Sequence, residues 1–408
     1  MLRRIVDVRD DEVTALLVSF FYFFALMASY FILRPIRDEM GVAIGSARLP
    51  WLFTATLISM LVLVPCYSAL VARVPRPRLI PFVYRFFLVN LLLFYASWRL
   101  NWAPGWTERV YYVWTSVYNV FVVSVFWSFM ADIWTSAQGR RLFGFIAAGG
   151  SIGSILGSSS VIALVKPLGS TALLLISAAL LEATARMAGY LARRAQAGSP
   201  KPVGGGLFDG FWHAVRSPYL FGIVMQTFLF TVTSTFIYLV QTDVMNGWGD
   251  KAARTQFFST QDLVINSLAA ILQGSMTGRI VKRLGVVGAL AMTPVFTALG
   301  FAAVLLWPGV WVVAAVFVFR RVLHFAVDRP SKEMLFTAVD RDDRYKTKNL
   351  IDTAIYRLGD QVGSWTYPLL GTLAVPLGIP LALVWLTVNV ALARGFDART
   401  HAPQGAPT

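Results

Sequence analysis

The 408-residue sequence has one cysteine, three histidines and few charges. Cys66 alone supports neither an intrachain disulfide nor a cysteine metal site. His213, His324 and His401 are far apart in the sequence, which argues against the ligand spacing of a zinc hydrolase. Charged residues make up 14% of the chain and hydrophobic ones 57%, against about 25% and roughly 45–50% in a soluble domain. Such a chain is neither an ordinary soluble enzyme nor disordered, since disorder needs low hydrophobicity. It contains no Ser/His/Asp arrangement, no Cys/His cluster and no large extramembrane stretch, so a membrane enzyme has the least support. No metal or cofactor is expected.

What the chain has is long apolar runs. Runs of about 20 residues cross a hydrocarbon core of about 30 Å, and twelve are found. They lie at about 13–33, 50–71, 78–98, 109–133, 142–165 and 167–191, then 218–241, 257–280, 285–307, 309–326, 350–375 and 377–394. The first is too long for a signal peptide and is followed by RPIRDE rather than a small-residue cleavage site. The Gly/Pro-rich stretch RRAQAGSPKPVGGG separates the sixth and seventh runs. The expected organisation is therefore a six-helix half over 1–192, a cytoplasmic linker over 193–217, a second six-helix half over 218–396 and a tail over 397–408.

The net charge of +15 arises from 36 Lys and Arg against 21 Asp and Glu. With the N-terminus in the cytoplasm, 25 basic residues fall in cytoplasmic segments, 8 in external ones, and Arg85, Arg186 and Arg357 within spans. That bias obeys the positive-inside rule. It explains the charge without nucleic acid and places both termini on the cytoplasmic side. An all-α polytopic protein with twelve transmembrane helices in 6+6 pseudo-symmetric halves has the layout of the major facilitator superfamily, whose cargo binds near the bilayer midplane.

Charged groups inside spans cost about 2.5–3.5 kcal/mol each on insertion scales, so they usually face a cavity or a partner. Four groups stand out. Arg34, Arg37, Asp38 and Glu39 close the first span. Arg34 and Asp38 share a face if the helix continues, although Pro35 allows it to end or kink. An interfacial anchor and a cargo cavity both remain open. Asp132 with Arg140 and Arg141, between spans four and five, reads either as a gate or as positive-inside markers. The tail of span ten carries Arg320, Arg321, His324, Asp328, Arg329, Lys332 and Glu333. His324 and Asp328 are spaced to share a helix face, more often a structural than a proton-relay arrangement. Span eleven carries Asp352, Arg357 and Asp360, of which the last two can pair locally.

Gly149, Gly153 and Gly157 recur every four residues in span five, which lets a neighbouring backbone approach closely. Ordinary close packing is the favoured reading there, with sliding between helices as the functional one. No Lys-Ser/Thr follows them, as a phosphate loop requires. Tyr111, Trp114 and Tyr118 share a face of span four, where packing or an interfacial belt is favoured over stacking on a base.

Three stretches resemble the ATP:ADP antiporter (nucleotide transporter) family and its relatives in free-living bacteria. YFILRPIRDEMGVAIGSARLPWLF is similar to the first-span signature, with Arg34, Arg37 and Asp38 on the basic and acidic positions. WSFMADIWTSAQGRRLFGFIAAGG looks like the family's span four–five stretch, with Asp132 at the acid and Arg140 and Arg141 at the basic pair. DRPSKEMLFTAVDRDDRYKTKNLIDTAIYRLGDQVGS matches most densely, through Lys332, Glu333, Met334, Asp340, Lys346, Lys348, Ile351, Asp352, Arg357, Leu358 and Gly359. Two positions depart from the family pattern: Asp360 stands where it has Lys, and Gln241 where it has an acid.

The resemblance implies a monomeric secondary transporter of the bacterial inner membrane that exchanges small anions, ATP and ADP among them, by alternating access. It assigns cargo contacts to Arg34, Arg37, Asp38, Asp132, Gln241, Asp352, Arg357 and Asp360. It assigns gating or packing to Arg140, Arg141, the three glycines, Lys332, Glu333, Lys346 and Lys348. The Lys-to-Asp departure favours an alternative, proton-coupled transport of another organic anion or metabolite. An alternative of another class is a non-transporting membrane scaffold or sensor that kept the fold.

Overall fold

The computed structural model describes residues 6–74, 76–194, 217–340, 347–348 and 350–401. All regular structure among them is helical. The helices are α1 (Val13–Ile44), α2 (Leu49–Arg73), α3 (Arg76–Arg99), α4 (Trp106–Ile133) and α5 (Ser136–Arg194), then α6 (Pro218–Met245), α7 (Lys251–Ser275), α8 (Thr277–Leu306) and α9 (Val310–Leu323). A π-helical turn (His324–Asp328) joins α9 to α10 (Arg329–Leu335), and a second (Ile351–Ile355) leads into α11 (Tyr356–Leu370). The last helix is α12 (Ala374–His401).

Nine segments among the described residues are long and apolar enough to cross a membrane. Two of them hold two passes each. Ser136–Arg193 runs for 58 residues, or about 87 Å at 1.5 Å per residue, far beyond one hydrocarbon core. Gly169 breaks it at φ 76°, a left-handed conformation open to glycine. Gly371 at φ 53° makes the corresponding break within Tyr356–Thr400. The twelfth pass is α7, whose polar residues along its length, STQD and Asn266 among them, keep it out of the apolar set. Twelve transmembrane passes in an all-α chain result.

Two sequence expectations change. The first helix does not end at Pro35 but continues to Ile44, so Arg34, Arg37, Asp38 and Glu39 are helical. The helix begins at Val13, and a proline 22 residues in forfeits one backbone hydrogen bond. Span seven likewise runs on past 241 to Met245.

The chain divides into two compact units. Unit 1 gathers Met1–Ile44, Thr54–Lys201 and Trp248–Asn266; unit 2 gathers Gly45–Phe53, Pro202–Gly247 and Ser267–Thr408. Unit 1 is built on α1 packed against α5, with α3 and α4 around them. The three glycines of the sequence pattern explain that pairing. A methyl on Gly149 or Gly157 would meet the carbonyl oxygens of Phe20 and Ala28 at 2.5 and 2.6 Å, and one on Gly153 would overlap the carbonyl of Phe24. The glycine face thus lies directly on the α1 backbone, as close packing requires. Tyr22, Leu26, Ile32, Tyr84 and Phe126 fill the core beside it. The first half of α7 joins this unit: Gln256 Nε2 donates to the Ile162 carbonyl at 3.0 Å, and Ser259 Oγ to that of Ser158 at 2.9 Å.

The aromatic face of α4 is also packing. Tyr111 and Tyr118 are fully buried, and Trp114 stacks on Tyr118 at 5.1 Å and 10°. Phe87 and Phe94 pack edge to face on Tyr118 and Tyr111.

In unit 2, α12 packs on α8 and α6, and α11 on α6. The start of α2 belongs here through Trp51, which meets Trp365 edge to face at 4.9 Å. The π-turn after α9 has a local cause. Pro330 has no N–H to donate back to Ala326, so the turn before it widens to i→i+5 bonding.

Candidate functional site

Each unit carries its own cluster of buried charge. In unit 1, α1 delivers Arg34, Arg37, Asp38 and Glu39, and the first half of α7 delivers Arg254 and Asp262. Arg34 Nη1 donates to Asp262 Oδ1 at 2.6 Å, and Arg34 Nε lies 3.7 Å from Asp38 Oδ2 one turn along. Arg37 Nη1 donates to Asp38 Oδ1 at 3.3 Å and Nη2 to the Tyr112 hydroxyl at 3.1 Å, with the guanidinium 4.4 Å over the Tyr112 ring. Glu39 Oε1 accepts from Arg254 Nη2 at 2.9 Å. Arg34, Asp38, Glu39 and Asp262 are at most 8% exposed. Three cations thus meet three carboxylates, and the cluster is neutral as a whole.

Unit 2 solves the same problem differently. Arg320 of α9 is 4% exposed. Its Nε donates to Thr297 Oγ1 at 3.1 Å, its Nη1 to Ser234 Oγ at 2.6 Å, and its Nη2 to the Phe230 carbonyl at 2.8 Å and Thr233 Oγ1 at 2.9 Å. The Phe230 and Trp385 rings lie 4.8 and 6.0 Å from the guanidinium. Among the described residues no carboxylate comes within ion-pair distance of it; neutral oxygens and aromatic faces touch it, and the Asp328 carboxylate attracts it from further off.

One turn on, the π-turn brings His324 and Asp328 together. His324 Nδ1 lies 3.0 Å from Asp328 Oδ2, a hydrogen bond that needs the proton on Nδ1. Gln226 Nε2 donates to Asp328 Oδ1 at 3.4 Å, and the His324 ring stacks on Phe230 at 3.9 Å. Lys332 is 7% exposed and donates to the Tyr356 hydroxyl at 3.0 Å. On α11, Arg357 pairs with Asp360 at 3.4 Å, and Thr235 Oγ1 donates to the other Asp360 oxygen at 3.2 Å. Gln241 is buried on α6, and nearby Asp243 accepts from the Tyr367 hydroxyl at 2.7 Å.

The residues picked from sequence are thus scattered over both clusters. Arg34, Arg37 and Asp38 gather in one, Arg357 and Asp360 in the other unit. Asp132 is exposed at the end of α4, and Arg140 is exposed too. Arg141 turns to the N-terminal segment, where Glu12 Oε1 accepts from its Nη2 at 3.0 Å and the Asp7 carbonyl accepts from Nη1. Lys348 pairs with Glu333. Lys346 and the Asp352 side chain lie outside the described residues. Sequence reasoning missed Asp262, Arg254 and Glu12. Asp262 carried a signal, being the one acid within span eight with no basic residue a turn away in STQDLVINSL.

No family model matches the chain, and no curated protein matches it. Solved structures do. A bacterial homologue of the iron transporter ferroportin aligns over 94% of this chain and 98% of its own, at TM-score 0.67 and 12% identity. The fold is major facilitator-like. A bacterial homologue of the human lysosomal transporter Spinster aligns over 97% and 100%, at TM-score 0.62 and 12% identity. The nucleoside transporter NupG aligns over 96% and 100%, at TM-score 0.60 and 12% identity. At that identity the likeness is one of fold, and function has to be argued from the site.

Proposed function

We propose that the chain is a secondary transporter that moves a small anionic solute by alternating access between its six-helix halves, 1–192 and 218–396. The observation that carries the reading is a twelve-pass major facilitator-like fold with charge buried in both units. Such groups in spans are costly and mark solute or ion pathways. The solved structures of similar fold are transporters by their own descriptions, one of nucleosides, which supports the class. An anionic cargo is supported by Arg320, a buried cation with no carboxylate within ion-pair distance among the described residues.

Nucleoside phosphates are the first cargo to test, on the strength of the three stretches resembling ATP:ADP antiporters. In that reading Arg34 and Arg37 grip phosphate oxygens, which the forked guanidinium suits. Asp38 and Asp262 act as internal counter-ions that the cargo displaces. Asp352, Arg357 and Asp360 exchange partners as the halves rock, with Gln241 and Asp132 along the path. The Lys/Arg bias supports cytoplasmic termini, and the resemblance to that family supports a bacterial inner-membrane location. Uptake of labelled ATP into proteoliposomes loaded with ADP or ATP tests this. Uptake above protein-free vesicles that is lost in Arg37→Ala is expected; background uptake under both loadings rules out nucleotide exchange.

A second reading, proton-coupled transport of another organic anion, is favoured by Asp360. A carboxylate paired with Arg357 occupies the position where the resembling family has lysine, which lowers the local positive charge offered to a tri- or tetra-anion. Uptake driven by an imposed pH gradient without counter-substrate distinguishes it.

A further inference from the structure

One charged cluster lies outside everything the transport reading uses. Arg85 of α3 donates through Nε and Nη2 to the two oxygens of Glu182 at 3.1 and 3.0 Å, and Arg186 Nε donates to Glu182 Oε1 at 2.9 Å. Its depth is what matters. Arg85 stands nine residues into a 24-residue helix, about 4 Å from the midpoint of its length. Glu182 falls midway along the α5 arm between the Gly169 break and Arg194. The triad nevertheless sits on the surface, with side chains of Arg85, Arg186 and Glu182 exposed by 53%, 76% and 28%. Phe82, Phe86, Val89 and Leu93 of α3 are exposed around it, as on a face that meets lipid tails.

Hydrocarbon leaves no polar group satisfied from outside, and charges at this depth turn to an interior or a partner. Two guanidiniums against one carboxylate leave the triad with a net positive charge. The Arg186 Nη groups make no hydrogen bond among the described residues. Ala179 and Ala183 flank Glu182 on the same arm, and small residues at this spacing let another helix backbone come close.

We propose that this face docks a transmembrane helix of a partner protein bearing one Asp or Glu at mid-membrane depth. The partner's carboxylate takes the open donors of Arg186 and cancels the net charge of the triad. A second copy of the same face would add like charge instead. A lipid phosphate sits at headgroup level, whereas Arg186 leans back along its helix onto Glu182, toward the middle of the arm. The docking face is independent of the cargo.

The test uses the full chain with a donor fluorophore fused at its C-terminus, reconstituted at neutral pH in phosphatidylcholine vesicles. The probe is an acceptor-labelled single-span Leu/Ala peptide carrying Glu at its centre, compared with the same peptide carrying Gln. Saturable energy transfer is expected for the Glu peptide, with half-saturation at about tenfold lower peptide density than for the Gln peptide. It is lost in Arg186→Leu. Equal transfer for the two peptides, or none, overturns the proposal, and because that comparison uses the unaltered protein it stands even if the variant fails to fold. Transfer between copies of the chain that Arg186→Leu abolishes assigns the face to a second copy and overturns it too. So does displacement of the Glu peptide by phosphatidylglycerol, which assigns the face to anionic headgroups.

Discussion

Arg34 and Arg320 are both buried in apolar helices, and the two units answer them differently. In unit 1 the guanidinium is met by Asp262 and Asp38, and the charge is cancelled where it stands. In unit 2 it is met by three hydroxyls, a carbonyl and two rings. A cancelled pair can take an anion only by giving up a carboxylate, because breaking it strands a charge. A charge solvated by neutral oxygens remains available, electrostatically, to an anion that is not always there.

Removing one partner of a buried pair leaves the other uncompensated, at a cost of about 3–5 kcal/mol. Asp262→Ala is therefore expected to lose that much stability in thermal unfolding of the purified protein. Arg320→Met is expected to stay within about 1.5 kcal/mol of the parent, since swapping a buried charge for an apolar group of similar volume is often near neutral. The hydroxyls it leaves behind keep their own acceptors: Thr233 Oγ1 donates to Leu229, Ser234 Oγ to Phe230 and Thr297 Oγ1 to Thr293, at 2.7–2.8 Å. If Arg320→Met proves the more destabilising of the two, the contrast between the units is wrong.

A packing change calibrates that contrast. Gly153→Val places side-chain atoms on the α1 backbone and is expected to cost about 1–3 kcal/mol or more. Gly144→Ala has open space and is expected to be neutral or slightly stabilising. Equal midpoints for the two would mean that α1 and α5 are not in backbone contact.

Pairing Arg34→Met with Asp262→Leu sharpens the same point. The double variant is expected to recover about 1–3 kcal/mol relative to the sum of the singles. Strict additivity would deny the Arg34–Asp262 bond.

The smallest effect concerns Glu12, just outside the first span. Burial pushes its carboxyl up, but bonds from the Arg9 backbone N–H, Gln138 and Arg141 outweigh this and hold it below its ordinary 4.5. A lowered carboxylate stabilises the fold above the unfolded-state value and loses that contribution as pH falls through the folded one. Thermal midpoints are thus expected to drop on acidification below about pH 4.5, with a shallower slope in Glu12→Gln. Parallel curves would remove Glu12 from the pH response.

Much of the fold was readable because lipid imposes it. Twelve apolar runs map onto twelve passes, and Gly169 and Gly371 sit at reversals. Where reading failed, polar residues had replaced apolar ones inside a helix. The charged end of α1 hid its continuation to Ile44, and KAARTQ hid the start of α7. Local pairs such as Arg357–Asp360 and His324–Asp328 were legible from helical spacing. Arg34–Asp262, 228 residues apart, was not, because no periodicity links two helices. The hydroxyl cage of Arg320 was equally hidden, since Ser and Thr in spans usually bond their own backbone, as Thr227 and Thr231 do.

The central claim is that an anion crosses on Arg320, a charge to which unit 2 gives no ion pair among the described residues. Counterflow into proteoliposomes measures it most directly, comparing ATP, ADP and organic carboxylates with uncharged nucleosides and sugars. The account predicts accumulation of at least one anion above protein-free vesicles, abolished by Arg320→Met in a protein that still unfolds at nearly the parent temperature. Accumulation of uncharged solutes alone, or anion uptake indifferent to Arg320→Met, would contradict it.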